Sequence, residues 1–407
     1  MPTKALIHRA GARRDGDDPG PWFAESVGRR DALVDRLRAR NRELLDEVDA
    51  VTLIDGHARF VGPHEVEVTG GDERLTVRAT TIVVNTGTVP APPAIPGART
   101  GGRIHDSTTL QHVEPLPERL VIVGAGVVGL EFAGMFAGFG SRVTVVASGG
   151  SPLPHEDPDV ADAVRSLLAE QGVTFALGVR ATALDERPDD VTVTLDDGAT
   201  LAADAVLLAT GRAPATTDLG LDAAGIDVDP HGHVVVDDRL RTTAPGVFAV
   251  GDVNGGPRFT YVSLDDHRIV LDQLTGPGTR RTTDRVAVPT TTFLTPPLAG
   301  VGLTEAEARA TGRPFLVASK PIAAIAAMPR PKAIGDTRGL IKVLVDAETD
   351  AVTGATWLGV DAQETINLVA LAMRAGVTAT ELRDGIWTHP SSTEALNEVL
   401  GELHPAG

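Results

Sequence analysis

The 407-residue sequence contains no cysteine, a single tyrosine and only 3% aromatic residues. Without cysteine it can build neither a disulfide nor a thiolate metal site from its own side chains. It also lacks any apolar run near the roughly 18 residues a membrane span needs, and its first residues show no charged segment leading into an apolar stretch. These absences predict a cytoplasmic protein that does not enter a membrane. Basic residues are outnumbered, 37 to 55, and the resulting net charge of −18 repels nucleic acid and anionic lipid. The basic run "RRDALVDRLRARNREL" (29–44) therefore reads as a solvated helix face. No cluster of His, Asp and Glu suggests a metal site.

What is present suits two or three domains, with a 42% apolar content ample for buried cores. Leu33, Leu37, Leu44 and Val48 recur at helical spacing and predict a helix over 31–48 with one apolar face. Strand-like patterns follow in "VTLIDGHARFVG", "HEVEVTGG" and "LTVRATTIVVNTG". The run "TIVVN" ends in a glycine, as buried parallel strands do where a nucleotide approaches their carboxyl ends. "TVPAPPAIPG" (88–97) reads as a linker. Residues 119–225 alternate strand, helix and strand, and "HVVVDDRLRTTAPGVFAVGD" predicts further strands up to Asp252. Beyond a variable patch, "GLIKVLVDAETDAVTGATWLG" (339–359) predicts a hairpin and "ETINLVALAMRAG" (364–376) an amphipathic helix. The last third is thus expected to be a separate α+β domain.

The chemistry starts at "RLVIVGAGVVGLEFAGMFAGFGSRVTVVAS" (119–148). A buried strand runs into Gly124, Gly126 and Gly129, then a helix, then a second strand. In that context Gly124 permits a tight turn, Gly126 admits a pyrophosphate to the helix N-terminus, and Gly129 lets helix and strand pack closely. The second strand ends in Ala147-Ser148-Gly149-Gly150, with no acid for a ribose hydroxyl and no Arg before Arg165, so NADH and NADPH both remain open. Asp252, in "TTAPGVFAVGDV" (242–253), reads equally well as a contact to a sugar-alcohol chain or as a helix cap. His389 is followed by a proline and, five residues on, by Glu394, which can orient its ring; a structural histidine is the alternative. His231 and His233, in a turn, read as surface residues.

The ordered set "PTKAL", "NTG", "GAGVVGLE", "ATGR", "PGVFAVGD", "FLTPPLAGVGLTE" and "HPSSTE" resembles the FAD-dependent pyridine nucleotide-disulfide oxidoreductases over essentially the whole chain. "PRFTYVSLDDHRIV" and "THPSSTEALNEVL" are most similar to the bacterial branch linked to reactive-chlorine stress. The resemblance implies an α/β fold with two Rossmann-like domains and a C-terminal α+β dimerisation domain. It assigns 1–107 and 226–283 to an FAD-binding domain, 108–225 to an NAD(P)-binding domain and 284–407 to dimerisation. It implies FAD and NAD(P)H as cofactors, a homodimer, and a small-molecule substrate of disulfide or other oxidised type. In the family Lys4 matches the lysine beside flavin N5, with Glu131 as its carboxylate partner. Ala58 matches an adenine contact, while Asn85, Thr86 and Gly87 form the first strand-Gly contact. Asp252 would take the ribityl chain, Thr260 the pyrimidine edge, and Gly211 would face the nicotinamide nucleotide. His389 and Glu394 would be the acid-base pair serving the partner's disulfide.

In the family "PTK" follows a redox Cys pair and a Gly-rich βαβ unit. The resemblance thus implies a coding start upstream of Met1, with that unit and its cysteines lying there. If the sequence begins where it should, the alternatives are a redox-inactive nucleotide-binding protein or a flavin reductase without redox cysteines.

Overall fold

The computed structural model describes residues 2–71 and 73–406, so Met1, on which the expectation of an upstream start rests, lies outside the described residues. The chain forms two compact units, one of Met1–Val34, Pro92–Thr210 and Ala287–Gly407, the other of Asp35–Ala91 and Gly211–Val286.

The first unit carries a five-stranded parallel sheet in the order Ile104–His105, Ala205–Leu208, Arg119–Val123, Arg142–Ala147 and Thr174–Leu177. Its central strand is "RLVIV", nearly all buried, as a strand covered on both faces must be. The chain leaves that strand through the glycine turn into the helix Val127–Phe139 and returns as Arg142–Ala147, one βαβ crossover. That helix is apolar almost all round, because it is sandwiched: Leu130, Phe132, Met135, Phe136 and Phe139 are buried with Leu6, Ile7, Ala10 and Phe23 from the first two helices. Phe23 meets the rings of Phe136 and Phe139 at 5.6 and 5.0 Å. Each such side chain contributes roughly 1.5–3 kcal/mol by leaving water. Gly138 allows the close crossing, since a Cβ there would stand 3.1 Å from the Cβ of Ala10.

The same unit holds a six-stranded sheet, ordered Thr290–Thr292, Leu298–Gly302, Val352–Leu358, Leu340–Asp346, Phe315–Pro321 and His404–Pro405. Its pairings are all antiparallel. The expected hairpin is the pair Leu340–Asp346 and Val352–Leu358, and the expected helix runs Ala362–Ala375, laying Ile366, Val369 and Ala370 into a core with Trp357.

The second unit is built from smaller pieces. A three-stranded antiparallel sheet joins His57–Gly62, Glu65–Gly70 and Glu73–Arg78. Ile82–Val84 pairs in parallel with Val247–Ala249, and Thr88–Pro90 pairs antiparallel with Arg212–Pro214. Residues 51–56 are not strand, and the stretch up to Asp252 contains only Val247–Ala249 as a strand, because its many turns leave isolated bridges elsewhere. Among the described residues Ile82–Val84 has a single strand neighbour, and Val83 is 45% exposed, so the expected full burial of "TIVVN" is not met. Most of the exposed large apolar side chains of the chain, Leu37, Leu44 and Leu271 among them, lie in this unit.

The expected helix over 31–48 is in fact Pro19–Asp46. Its buried residues are Phe23, Ser26 and Arg30, while Leu37 and Leu44 face solvent and Val48 lies past its end. Arg30 also departs from the solvated-face reading: its guanidinium reaches Asp31, the Gln111 side chain and carbonyl, and His112. Buried His233 is likewise no surface residue, since Asp229 holds both its ring Nδ1 and its backbone N–H.

Candidate functional site

The glycine turn shows why three glycines stand there. Gly124 has φ +120°, and a Cβ on it would strike the Ala209 carbonyl oxygen at 2.4 Å. At Gly129 a Cβ would sit 2.0 Å from the Gly124 carbonyl oxygen, so only hydrogen lets helix meet strand. Gly126 is different: its φ of −81° is open to any residue, and nothing lies within 4 Å of the Cβ position. It is the N-cap of the helix, and no side chain caps the free amides there. An uncapped 13-residue helix with open space at its positive end suits a pyrophosphate. The donors for the NAD(P) pyrophosphate therefore fit.

The same helix carries Glu131, five residues on and about 7.5 Å along the axis at 1.5 Å per residue. Its side chain is 7% exposed and meets Lys4 Nζ at 2.5 Å, across 127 positions of sequence. Lys4, on the helix Pro2–Gly11, keeps 33% of its side chain exposed. A buried carboxylate thus anchors an ammonium that still presents donors outward. The other carboxylate oxygen accepts the backbone N–H of Phe293 at 2.9 Å, and the Phe293 ring lies 4.9 Å from Lys4 Nζ. Sequence reasoning did not single out Phe293, although it opens the motif "FLTPPLAGVGLTE".

His389 and Glu394 form a second pair within the first unit. His389 Nδ1 and Glu394 Oε1 are 2.9 Å apart, and Glu394 Oε2 accepts the Ser391 backbone N–H at 2.8 Å. The Ser391 amide, then the imidazole, hold the Glu394 carboxyl below the usual carboxylate range. An ionised carboxylate can only accept, so Nδ1 carries the proton and Nε2 is left as the basic nitrogen. The imidazole is 71% exposed, and no hydrogen bond or ion pair found among the described residues connects it to Lys4 or Glu131.

In the second unit the glycines again hold unusual backbone: Gly87 has φ +72° and Gly251 φ +70°. A Cβ on Gly251 would come within 2.8 Å of Asn85 Oδ1, which places Asn85 beside the turn that carries Asp252. The Asp252 carboxylate accepts the Thr88 hydroxyl at 3.1 Å rather than capping a helix. Arg212 holds Thr88 in turn, with Nε on the hydroxyl and Nη2 on the carbonyl. Thr86 donates to the Ala215 carbonyl. Asn85, Thr86, Gly87 and Asp252 are therefore neighbours, with Thr88 and Arg212 as members that the motif reading missed. Half-buried and fixed by Thr88, Asp252 has the donor-accepting chemistry that a polyol chain such as the ribityl of FAD requires. Ala58, exposed on the strand His57–Gly62, and Thr260, the exposed first residue of the helix Thr260–Thr275, make no contact with that group that the structure records. Gly211, with φ +154°, is exposed and has open space at its Cβ position.

A family model described as pyridine nucleotide-disulphide oxidoreductase matches residues 1–266, and the dimerisation domain of the same family matches 288–400. The chain is 42% identical over 400 residues to the "Probable pyridine nucleotide-disulfide oxidoreductase RclA" of Escherichia coli (strain K12), covering 98% of this chain and 88% of that one. It is 34% identical over 419 residues to a dihydrolipoyl dehydrogenase of Thermus scotoductus, covering 99% and 88%. Among solved structures it matches the HOCl-induced flavoprotein disulfide reductase RclA from Escherichia coli with a TM-score of 0.92 at 42% identity, over 98% of this chain and 89% of that one. LpdA from Mycobacterium tuberculosis matches with a TM-score of 0.86 at 27% identity, over 98% and 89%. The chain belongs to the pyridine nucleotide-disulphide oxidoreductases, a family of flavoprotein enzymes that use FAD and NAD(P)H.

Proposed function

We propose that the protein takes a hydride from NAD(P)H onto FAD and passes the electron pair to a disulfide-type substrate, as a homodimer in the cytoplasm, where that nucleotide pool lies. The observation that carries this reading is the Lys4–Glu131 pair, closed between two helices on the very helix whose N-terminus is the uncapped glycine cradle. FAD, when bound, supplies the two-electron chemistry. The amides at Gly126 hold the NAD(P)H pyrophosphate. Lys4, its charge offset and its direction set by Glu131, would hold the flavin at the edge that receives hydride. Asp252 binds the ribityl hydroxyls, Thr260 the pyrimidine edge through its backbone and Ala58 the adenine; Asn85, Thr86, Gly87 and Gly211 line the nucleotide contacts.

His389 is the acid-base group of the second half-reaction, with Glu394 orienting it. A thiol near pKa ~8.5 is mostly protonated at neutral pH and needs such a base to become a nucleophile. The exposure of that imidazole, three residues from an Ile386 that is 99% exposed, supports a role at a face that a second subunit covers. In the family that thiol belongs to the redox Cys pair of the partner subunit, a pair that lies outside these 407 residues. The second reading is a flavin reductase without redox cysteines, in which the electrons go directly from flavin to another oxidised acceptor; it would leave the His389–Glu394 pair without work.

The test is to replace His389 by Ala and to measure the two half-reactions separately. Flavin reduction by NAD(P)H should be unchanged, while disulfide turnover falls about 10²–10⁴-fold, the usual worth of a positioned acid-base group. Equal turnover by both proteins with a disulfide would contradict the role of His389. Turnover with a quinone or Cu(II) and none with any disulfide would favour the second reading.

A further inference from the structure

We infer that Phe293 is a positioning residue for Lys4, acting through its ring on the ammonium and through its backbone N–H on Glu131. The inference rests on the reading of Lys4 as the group at the hydride-receiving edge.

The geometry is specific. Glu131 is buried on the helix Val127–Phe139 and has both carboxylate oxygens engaged, Oε2 by Lys4 and Oε1 by the Phe293 amide. A carboxylate with one oxygen tied to a backbone amide cannot swing away with its lysine, so the amide fixes where the ammonium must come. The Phe293 ring then occupies a second side of that ammonium, 4.9 Å from Nζ. An ammonium has three N–H bonds. With the carboxylate on one side and the negative face of a ring on another, the remaining donor points to the exposed side.

Phe293 itself is held still. It stands between the strands Thr290–Thr292 and Leu298–Gly302, next to buried Leu294 and packed on the core that contains Leu6 and Phe132. Two residues on, the Thr295 carbonyl accepts the Gln171 side-chain amide. The ring is thus fixed by neighbours on both sides of it in sequence. The two contacts also separate experimentally: a side-chain substitution at 293 removes the ring and leaves the amide in place.

Three variants test this in the FAD-loaded full chain: Phe293→Leu, Phe293→Tyr and Lys4→Met. Stopped-flow flavin reduction at saturating NAD(P)H should slow about tenfold in Phe293→Leu, the rate equivalent of one partly desolvated cation–π contact. NAD(P)H affinity should stay unchanged, and Phe293→Tyr, which keeps the ring, should restore the rate. A readout independent of flavin is available because the chain has only four lysines, Lys4, Lys320, Lys332 and Lys342. In the protein without FAD, the ¹³C-labelled lysine methylene signal of Lys4 should carry an aromatic ring-current shift that Phe293→Leu abolishes and Phe293→Tyr retains. An unchanged Lys4 signal in Phe293→Leu, or an unchanged reduction rate where Lys4→Met is slow, would overturn the inference alone. If Lys4→Met itself reduces flavin at the wild-type rate, the reading on which the inference rests is what fails.

Discussion

Replacing Gly126 and Gly129 separately by Ala tests the nucleotide cradle, because the two positions differ in what a methyl group would meet. At Gly129 the new Cβ would lie 2.0 Å from the backbone oxygen of Gly124, and a backbone atom cannot rotate away. Helix and strand must move apart, at a cost of about 3 kcal/mol, the upper part of the range for overpacking a core. At Gly126 the Cβ would meet nothing within 4 Å, and φ is −81°. Stability should shift there by less than about 1 kcal/mol, the small loss of an N-cap glycine offsetting the stiffer unfolded chain. The methyl would, however, stand where an anion approaches the helix amides. Loss of two charge-assisted hydrogen bonds at about 1.5 kcal/mol each amounts to about 3 kcal/mol, or roughly a hundredfold in Kd. Calorimetric melting and nucleotide titration should therefore separate: Gly129→Ala melts early, whereas Gly126→Ala melts normally and binds NAD(P)H weakly. Wild-type affinity in Gly126→Ala would refute the cradle, and a wild-type melting point in Gly129→Ala would refute the packing.

Other outcomes follow from the same structure. Buried Lys342 joins Asp157, Asp159 and Glu305 at 3.0, 3.0 and 2.6 Å, so Lys342→Met should cost about 3 kcal/mol by leaving carboxylates uncompensated. Burial opposes ionisation of Asp157, but the Glu305 amide and Lys342 prevail and pull its pKa down, and Lys342 first among its partners lowers Glu305. Carboxylates with depressed folded values stabilise fully above their unfolded pKa near 4 and lose that stabilisation as pH falls through the folded values. Chemical denaturation should then show the gap between Lys342→Met and wild type closing as the pH is lowered through that acid range. Glu394→Gln should lower disulfide turnover less than His389→Ala does, read as kcat/KM, since it leaves the imidazole in place. With no acid or Arg among Ala147-Ser148-Gly149-Gly150, the NADH and NADPH specificity constants should differ by less than about a thousandfold, or ~4 kcal/mol. Replacing exposed Leu37, Leu44 and Leu45 together by Glu should reduce self-association in sedimentation without lowering the melting point.

The sequence showed most clearly the features whose cause is local. In the strand-turn-helix at 119–139, Gly129 is set against the Gly124 carbonyl only five residues back, and the hairpin 340–358 joins two mostly buried apolar strands through a short turn. The helix begins at Pro19, ahead of the apolar spacing that predicts it from 31, because burial of Phe23 against Phe136 and Phe139, over a hundred residues away, decides its course. Leu37 and Leu44 kept the spacing of a buried face yet stay exposed, since periodicity says which residues share a face and not what covers it. At the candidate site, His389–Glu394 was readable from a five-residue spacing and Lys4–Glu131 from family resemblance. Thr88, Arg212 and Phe293 were not, because their parts are set by contacts 124 or more positions apart.

The central claim is hydride transfer from NAD(P)H to flavin on this chain. The most direct measurement mixes the FAD-loaded protein anaerobically with NADH or NADPH and follows the flavin absorbance near 450 nm, together with nucleotide oxidation near 340 nm. Equimolar loss of both signals in wild type, strongly slowed in Lys4→Met, is the predicted result. A flavin that binds but keeps its absorbance under saturating nucleotide would contradict the account.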